Sequence, residues 1–278
     1  MDFSNLIPNI SEKIEQWIQE DIPAFDIGGF VVGSSKKKAI LYCKSAGIIA
    51  GVPFVTQIFE KLQCNITWLV KEGDLIQPEE KKEIAYISGN INQILIGERL
   101  ILNILSRTSG IATKSFNLVT LAKEKGFSGK IAGTRKTTPG FRLVEKYGLL
   151  VGGADTHRMD LSSMVMLKDN HIKAMGGIKE AVTKARYVSS VWTKIEVECS
   201  SYEHAIEALE SGTDIIMLDN LKPEILKNVA SKIKKKFPYS VLEASGGITE
   251  SNIQLQELII KKTEPTIIYL NKYKADTD

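Results

Sequence analysis

Between residues 130 and 243 the chain repeats one pattern, a short apolar run followed by an amphipathic stretch. The runs fall at 130–132, 149–151, 165–167, 194–197, 215–218 and 241–243, and amphipathic stretches at 177–188, 201–211 and 223–236 lie between them. Strand then helix at this spacing predicts βα units with parallel strands. Such units build either an open doubly wound sheet or a barrel. The polar residues favour the barrel. Thr134-Arg135-Lys136, His157-Arg158, Lys168 to His171, Glu198, Asp219-Asn220 and Ser245-Gly246-Gly247 each stand just past an apolar run. A barrel gathers all its strand ends around one mouth. In an open sheet only the strands at the switch point carry such groups.

The first part of the chain has a different rhythm. Asn9, with Glu12 three residues on, reads as a helix N-cap in a capping box, and Ile10, Ile14, Trp17 and Ile18 follow at helical spacing. Residues 30–32, 38–43 and 66–69 read as short strands. Residues 91–105 read as a helix that is apolar on most faces and therefore largely buried, with Glu98 and Arg99 among its exceptions. Residues 1 to about 112 form one α+β unit on this reading.

Charge and cysteine content exclude several classes. Over 278 residues, 36 Lys and Arg against 33 Asp and Glu leave +3, which is no footprint for nucleic acid. The lysine runs at 36–38 and 232–236 read as solvated surface. Cys43, Cys64 and Cys199 include no CxxC spacing, so a reducing compartment is expected and a zinc site is not. No stretch reaches the apolar length of a membrane span, and no basic-then-apolar leader opens the chain. A soluble, intracellular chain is expected.

The mouth carries an excess of cations. Arg135, Lys136, Arg158 and Lys168 are positive, His157 and His171 are further donors, and Glu198 and Asp219 are the carboxylates. Two carboxylates cannot balance four clustered cations, so a polyanionic ligand is expected. Ser245-Gly246-Gly247, between a strand and a stretch at 249–257 with helical character, reads as a phosphate cradle. Glu198 and Asp219 end neighbouring strands. They could approach a Mg²⁺-bound phosphate, hold sugar hydroxyls, face a developing cation, or simply pair with the Arg and Lys residues. His204 reads as solvent-facing, Trp17, Trp68 and Trp192 as packing residues, and Cys199 as a buried thiol turned away from Glu198.

GTRKTTPGFR (133–142), GGADTHRMDL (152–161), MLKDNHI (166–172), KIEVEC (194–199), IIMLDN (215–220) and EASGGIT (243–249) together resemble the carboxylating nicotinate-nucleotide pyrophosphorylases, also called quinolinate phosphoribosyltransferases. EDIPAFDIGGFVVG (20–33) and GERLILNILSRTSGIAT (97–113) look like the eukaryotic, especially fungal, members. The resemblance implies an N-terminal α/β sandwich, residues 1–112, and an incomplete α/β barrel, residues 113–278, the type II phosphoribosyltransferase arrangement. It implies an enzyme of NAD biosynthesis, a pentosyltransferase that converts quinolinate and phosphoribosyl pyrophosphate (PRPP) to nicotinate mononucleotide, pyrophosphate and CO₂ with Mg²⁺. It also implies homodimers or homohexamers, and a cytoplasmic or cytoplasmic and nuclear location.

By the same resemblance, Arg135, His157, Arg158 and Lys168 hold the quinolinate carboxylates. Lys136 is shared between quinolinate and the phosphates, and Arg99 reaches in from a neighbouring subunit. Glu198 and Asp219 stand by the ribose and, indirectly, the Mg²⁺ carried on PRPP. Lys136, Glu198 and Asp219 are the catalytic candidates, and Ser245, Gly246 and Gly247 grip the 5′-phosphate. After Asn252 the sequence departs from the family pattern: 266–270 supply one strand, with no matching phosphate loop after it. That departure motivates a second expectation, a catalytically impaired anion-binding or assembly subunit of the same fold. A third, a barrel enzyme using Lys168 or Lys136 as a Schiff-base nucleophile, fits the Arg and His neighbours poorly.

Overall fold

The computed structural model describes residues 10–247 and 266–269. They form two compact units: residues 10–116 with 140–153, and residues 117–139 with 154–247 and 266–269.

The first unit is an α/β sandwich. Its strands are β1 (Lys36–Cys43), β2 (Gly47–Ile48), β3 (Asn65–Trp68), β4 (Leu75–Ile76) and β5 (Lys82–Asn90). β5 pairs antiparallel with both β1 and β3, and β2 pairs with β4. Its helices are α1 (Ser11–Asp21), α2 (Ile27–Val32), α3 (Val52–Lys61), residues 91–116 of α4 (Ile91–Glu124), and α5 (Arg142–Val151). Phe54, Ile58 and Phe59 of α3, Ile84 and Ile87 of β5, Ile101 and Ile104 of α4, and Val144 and Tyr147 of α5 share one core. Phe54 meets Tyr147 edge-on, with ring centroids 5.2 Å apart.

Several elements of this unit differ from the sequence expectation. Helix α1 starts at Ser11 with Ile10 in the cap position and no side-chain cap bond; Asn9 lies outside the described residues. Residues 30–32 are helix, not strand, because the Asp26 carboxylate accepts the Gly29 N–H at 2.9 Å and caps α2, which ends at Gly33 with φ +72°. Residues 149–151 belong to helix α5, not to a strand. They continue a buried stripe through Val144, Tyr147 and Gly148, and Gly148 lets the helix approach the Thr108 carbonyl. Helix α4 runs well past residue 105.

The second unit is the incomplete barrel. Its strands are β6 (Lys130–Ala132), β7 (Val165–Leu167), β8 (Ile195–Cys199), β9 (Ile215–Asp219), β10 (Val241–Ser245) and β11 (Thr266–Tyr269). All pairings are parallel, in the order β6-β11-β10-β9-β8-β7, and no ladder joins β6 to β7 among the described residues. β11 is the strand expected at 266–270; the helical stretch expected at 249–257 lies outside the described residues. Helices α6 (Asp169–Met175), α7 (Ile178–Val188), α8 (Tyr202–Glu210) and α9 (Pro223–Lys236) follow β7, α6, β8 and β9 in the chain. Alternation sends Ile195, Val197, Cys199, Ile216, Leu218, Leu242 and Ala244 to one buried face. Ala132, Met166, Met217 and Ile267 cluster on the other.

Trp17 and Trp68 pack against the first unit's core as expected. Trp192 is 89% exposed, so it packs against nothing. His171 Nδ1 accepts the Lys168 N–H at 3.0 Å and caps α6. His204 is exposed on α8, and Cys199 is buried, its thiol pushed up to about 12 by burial. No helix among the described residues is long and apolar enough to cross a membrane.

Two local features yield expectations. The Glu72 carboxylate accepts N–H bonds from Gly51 and Val52, both 2.8 Å, at the start of α3. Burial nevertheless lifts this carboxyl from the ordinary 4.5 to about 7. The folded chain then keeps a proton that the unfolded chain releases, so stability falls as pH rises from 4.5 through about 7. Glu72→Gln is expected to flatten that slope, measured as melting temperature against pH; an unchanged slope would count against it. The second feature is the turn after β10. Gly246 has φ +96°, and a Cβ there would lie 2.3 Å from Asn220 Oδ1 and 2.7 Å from the Asn220 nitrogen. Gly247 has φ +62° with open space around it. Gly247→Ala is expected to cost about 1 kcal/mol, and Gly246→Ala at least about twice that, by chemical denaturation.

Candidate active site

Register decides which side chains share the barrel interior. Glu198 pairs with Met217, Met217 with Glu243, and Asp219 with Ser245. Registered residues on parallel strands point the same way, and so do residues two apart on one strand. Glu196, Glu198, Met217, Asp219, Glu243 and Ser245 therefore face one side. Glu198, Asp219 and Ser245 occupy the carboxyl ends of their strands, and Glu196 and Glu243 lie one layer deeper.

The remaining groups come from loops at the same end of the sheet. Arg135 and Lys136 follow β6. Arg135 is half-buried, and its Nε is buried without a hydrogen bond among the described residues. Lys136 is exposed, with its N–H donated to Thr134 Oγ1 at 3.1 Å. His157 and Arg158 follow Asp155, which is bridged to Ala132 of β6 rather than ending the expected strand at 149–151. His157 takes the uncommon φ of +54°, and its N–H donates to Asp155 Oδ1 at 2.7 Å. Arg158 Nη2 donates to Met166 Sδ at 3.4 Å. Lys168, directly after β7, forms an ion pair with Glu198.

The turn Ser245-Gly246-Gly247 packs closely on the end of β9. The Asn220 N–H donates to the Ser245 carbonyl at 2.9 Å and ties the end of β9 to that of β10. Asn220 also bonds the Asp219 carboxylate and has φ +54°. Two successive glycines with positive φ turn the backbone at the strand end, in the manner of loops that cradle phosphate.

Sequence reasoning brought Arg135, Lys136, His157, Arg158, Lys168, Glu198, Asp219, Ser245, Gly246 and Gly247 to one end of one sheet. All ten belong to the second unit. Arg99 lies in the first unit, exposed on α4. The reading missed Glu196 and Glu243. Their side chains are 0% exposed and their carboxylates flank His157 Nε2, at 3.5 Å from Glu196 and 3.1 Å from Glu243. Burial pushes both carboxyls upward, and on Glu196 the Glu243 charge adds to it. The signal was available: Glu196 alternates with Glu198, and Glu243 with Ser245, so each shares the face of a residue already singled out.

The arrangement suits polyanion chemistry. Cations and a glycine turn surround two rim carboxylates with hard oxygen donors. Asp219 is half-buried, open enough for a hydrated cation. Mg²⁺ keeps several waters and takes one or two carboxylates plus substrate phosphates. Glu198 and Asp219, on one face of adjacent strands, fit an ion carried on phosphate oxygens rather than a protein cage.

Residues 26–109 match the family model described as quinolinate phosphoribosyl transferase, N-terminal domain, and residues 111–273 match its C-terminal domain. The nicotinate-nucleotide pyrophosphorylase (carboxylating) of Dictyostelium discoideum is 50% identical over 268 residues, covering 91% of this chain and 89% of that one. The enzyme of the same name from Rattus norvegicus is 49% identical over 245 residues, covering 88% and 81%. Among solved structures, the nicotinate-nucleotide pyrophosphorylase from Francisella tularensis superposes with a TM-score of 0.83 at 31% identity, covering 97% of this chain and 94% of that one. Both domain matches run in order along a sandwich and an incomplete barrel, and with them this chain belongs to the quinolinate phosphoribosyltransferase family.

Proposed function

We propose that this chain transfers the phosphoribosyl group of PRPP to quinolinate, with decarboxylation, to give nicotinate mononucleotide, pyrophosphate and CO₂ for NAD biosynthesis. The observation that carries this reading is the meeting of Arg135, Lys136, Arg158 and Lys168 with a twin-glycine turn at one end of one parallel sheet. Quinolinate is a dianion and PRPP is polyanionic, so the cation excess has a use that the chain's own carboxylates do not meet.

On this reading Arg135, His157, Arg158 and Lys168 hold the two quinolinate carboxylates, the arginines in bidentate fashion. The buried Arg135 Nε without a bond is a donor suited to that task. Lys136 stands between quinolinate and the phosphates. Ser245, Gly246 and Gly247 hold the 5′-phosphate through backbone N–H groups. A quinolinate carboxylate that takes the Lys168 ammonium frees Glu198 from its ion pair. Glu198, with Asp219, then faces the ribose carbon as the bond to pyrophosphate breaks and positive charge develops there. Glu198 and Asp219 would hold a Mg²⁺ carried in with PRPP, which would supply charge neutralisation for the departing pyrophosphate. The quinolinate nitrogen supplies the electron pair for the new bond. Loss of CO₂ then leaves its electron pair on the ring, with the alkylated nitrogen as sink, and a proton completes the product. The chain's share of that last step is to hold the ring and exclude water. Arg99 completes the site from a second copy of the chain in a homodimer or homohexamer, and the enzyme works in the cytoplasm.

No observation among the described residues favours an impaired subunit. A Schiff-base role for Lys168 is opposed by its ion pair with Glu198, since such lysines are activated by desolvation or by other cations.

The test is direct. Purified protein with quinolinate, PRPP and Mg²⁺ is expected to form nicotinate mononucleotide, followed by chromatography; no product from folded protein would overturn the assignment. Lys136→Ala and Arg158→Ala each remove a charge-assisted contact and are expected to lower kcat/KM about 10- to 100-fold with melting unchanged. Wild-type rates in both would sink the site.

A further inference from the structure

Within the barrel sheet, Glu196 and Glu243 are buried carboxyls that the proposed reaction leaves without a task. Carboxylates at 0% side-chain exposure are costly to retain in a barrel interior that otherwise holds Ala132, Met166, Met217 and Ile267. Neither lies at the carboxyl end of its strand, where reacting groups are placed. Both converge on one atom, His157 Nε2, at 3.5 and 3.1 Å, and the donor atoms of the three residues lie within 4.8 Å of one another.

Three donors so close could suggest a metal ion. The charges around them argue otherwise. Arg158 and Lys168 both act on Glu196 and on Glu243, so the cavity already holds cations. The geometry instead resembles an imidazole held by carboxylates that fix its ring orientation and tautomer. The backbone adds a reason for such a hold. His157 sits at φ +54°, which a non-glycine residue keeps only when its surroundings over-determine it. On one side, its N–H donates to Asp155, whose own N–H and carbonyl are tied to Ile131 and Gly133. On the other, Arg158 reaches Met166, the register partner of Glu196. The side-chain anchor and the backbone anchor thus act on the same residue, next to Arg158.

We propose that Glu196 and Glu243 are positioning residues, a two-carboxylate clamp on His157 Nε2 that holds the imidazole, and with it Arg158, in the pose that receives the quinolinate carboxylates. The proposal rests on the reading of His157 and Arg158 as quinolinate contacts. The clamp acts on one substrate only, because the phosphate turn is carried by other residues.

The test uses full-length Glu196→Gln, Glu243→Gln, His157→Ala and the double variant His157→Ala/Glu243→Gln. Quinolinate affinity is read by calorimetry and the two KM values by product formation. Each Gln variant is expected to raise the quinolinate Kd and KM about 10-fold, the scale of one buried polar contact, made by Glu243 as a hydrogen bond and by Glu196 as a 3.5 Å approach, with the KM for PRPP unchanged. The double variant is expected to be no worse than His157→Ala, since groups acting through one another are not additive. The chain has three histidines, so the His157 imidazole is identifiable by nitrogen NMR as the signal missing in His157→Ala. In wild type it is expected as one fixed form with a hydrogen-bonded Nε2–H, displaced in each Gln variant. The proposal is overturned if His157→Ala loses quinolinate binding while both Gln variants bind normally. It is overturned as well if the double variant shows additive losses. Should the Gln variants fail to fold, the wild-type spectrum decides, and exchange between tautomers refutes the clamp. Normal quinolinate binding by both His157→Ala and Arg158→Ala marks instead a failure of the underlying site reading, and the proposal falls with it.

Discussion

A parallel ladder carries its side-chain alternation from strand to strand without a shift, and the mouth of this barrel depends on that rule. β8, β9 and β10 pair so that Glu198, Asp219 and Ser245 stand together at the strand ends, with Glu196 and Glu243 beneath them. The intervening residues, Val197, Cys199, Ile216, Leu218, Leu242 and Ala244, fill the opposite face. A slip of one residue in any strand would exchange the two sets, placing thiol and hydrocarbon in the mouth and carboxylates in the hydrophobic layer. The apolar layer and the polar site therefore enforce the same register.

Electrostatic balance is the second organising fact. The cations at the mouth come from loops, Arg135 and Lys136 after β6, His157 and Arg158 after the Asp155 bridge, and Lys168 after β7. The carboxylates come from strands. Rigid strands hold the negative groups, and loops bring the positive groups to them, with the Lys168–Glu198 ion pair as the visible junction. A site of this kind answers a polyanion by changing partners rather than by moving strands.

Much of the second unit was legible because its strands are short, apolar and punctuated by polar residues. Five of the six apolar runs at 130–132, 165–167, 194–197, 215–218 and 241–243, together with 266–270, correspond to strands. The run at 149–151 misled because three apolar residues carry no period, and only packing shows that they finish a helix buried with the first unit. Residues 30–32 misled because β-branched and aromatic propensity was outweighed by the Asp26 cap. Trp192 was read by residue type, and an exposed loop does not respect residue type. Glu196 and Glu243 escaped notice because they stand inside apolar strands, where a charge is easily taken for the polar half of an alternation. Their role emerges only when loop residue His157, far from either in sequence, is placed between them.

The strand order has a consequence for how the chain is made. β11 lies between β6 and β10, so the first barrel strand among the described residues obtains its ladder partner from the last of them. A ribosome releases Lys130 long before Thr266, and in that interval the Asp155 bridge is the strand pairing that β6 has among the described residues. β7 to β10 can pair in order of synthesis, but the hydrogen-bonding edge of β10 stays open until β11 is made. Closure is a late, long-range event of the kind that slows folding and leaves strand edges exposed to other chains. During synthesis this protein is thus a half-built sheet with two unpaired edges, each a row of backbone N–H and C=O groups still without a ladder.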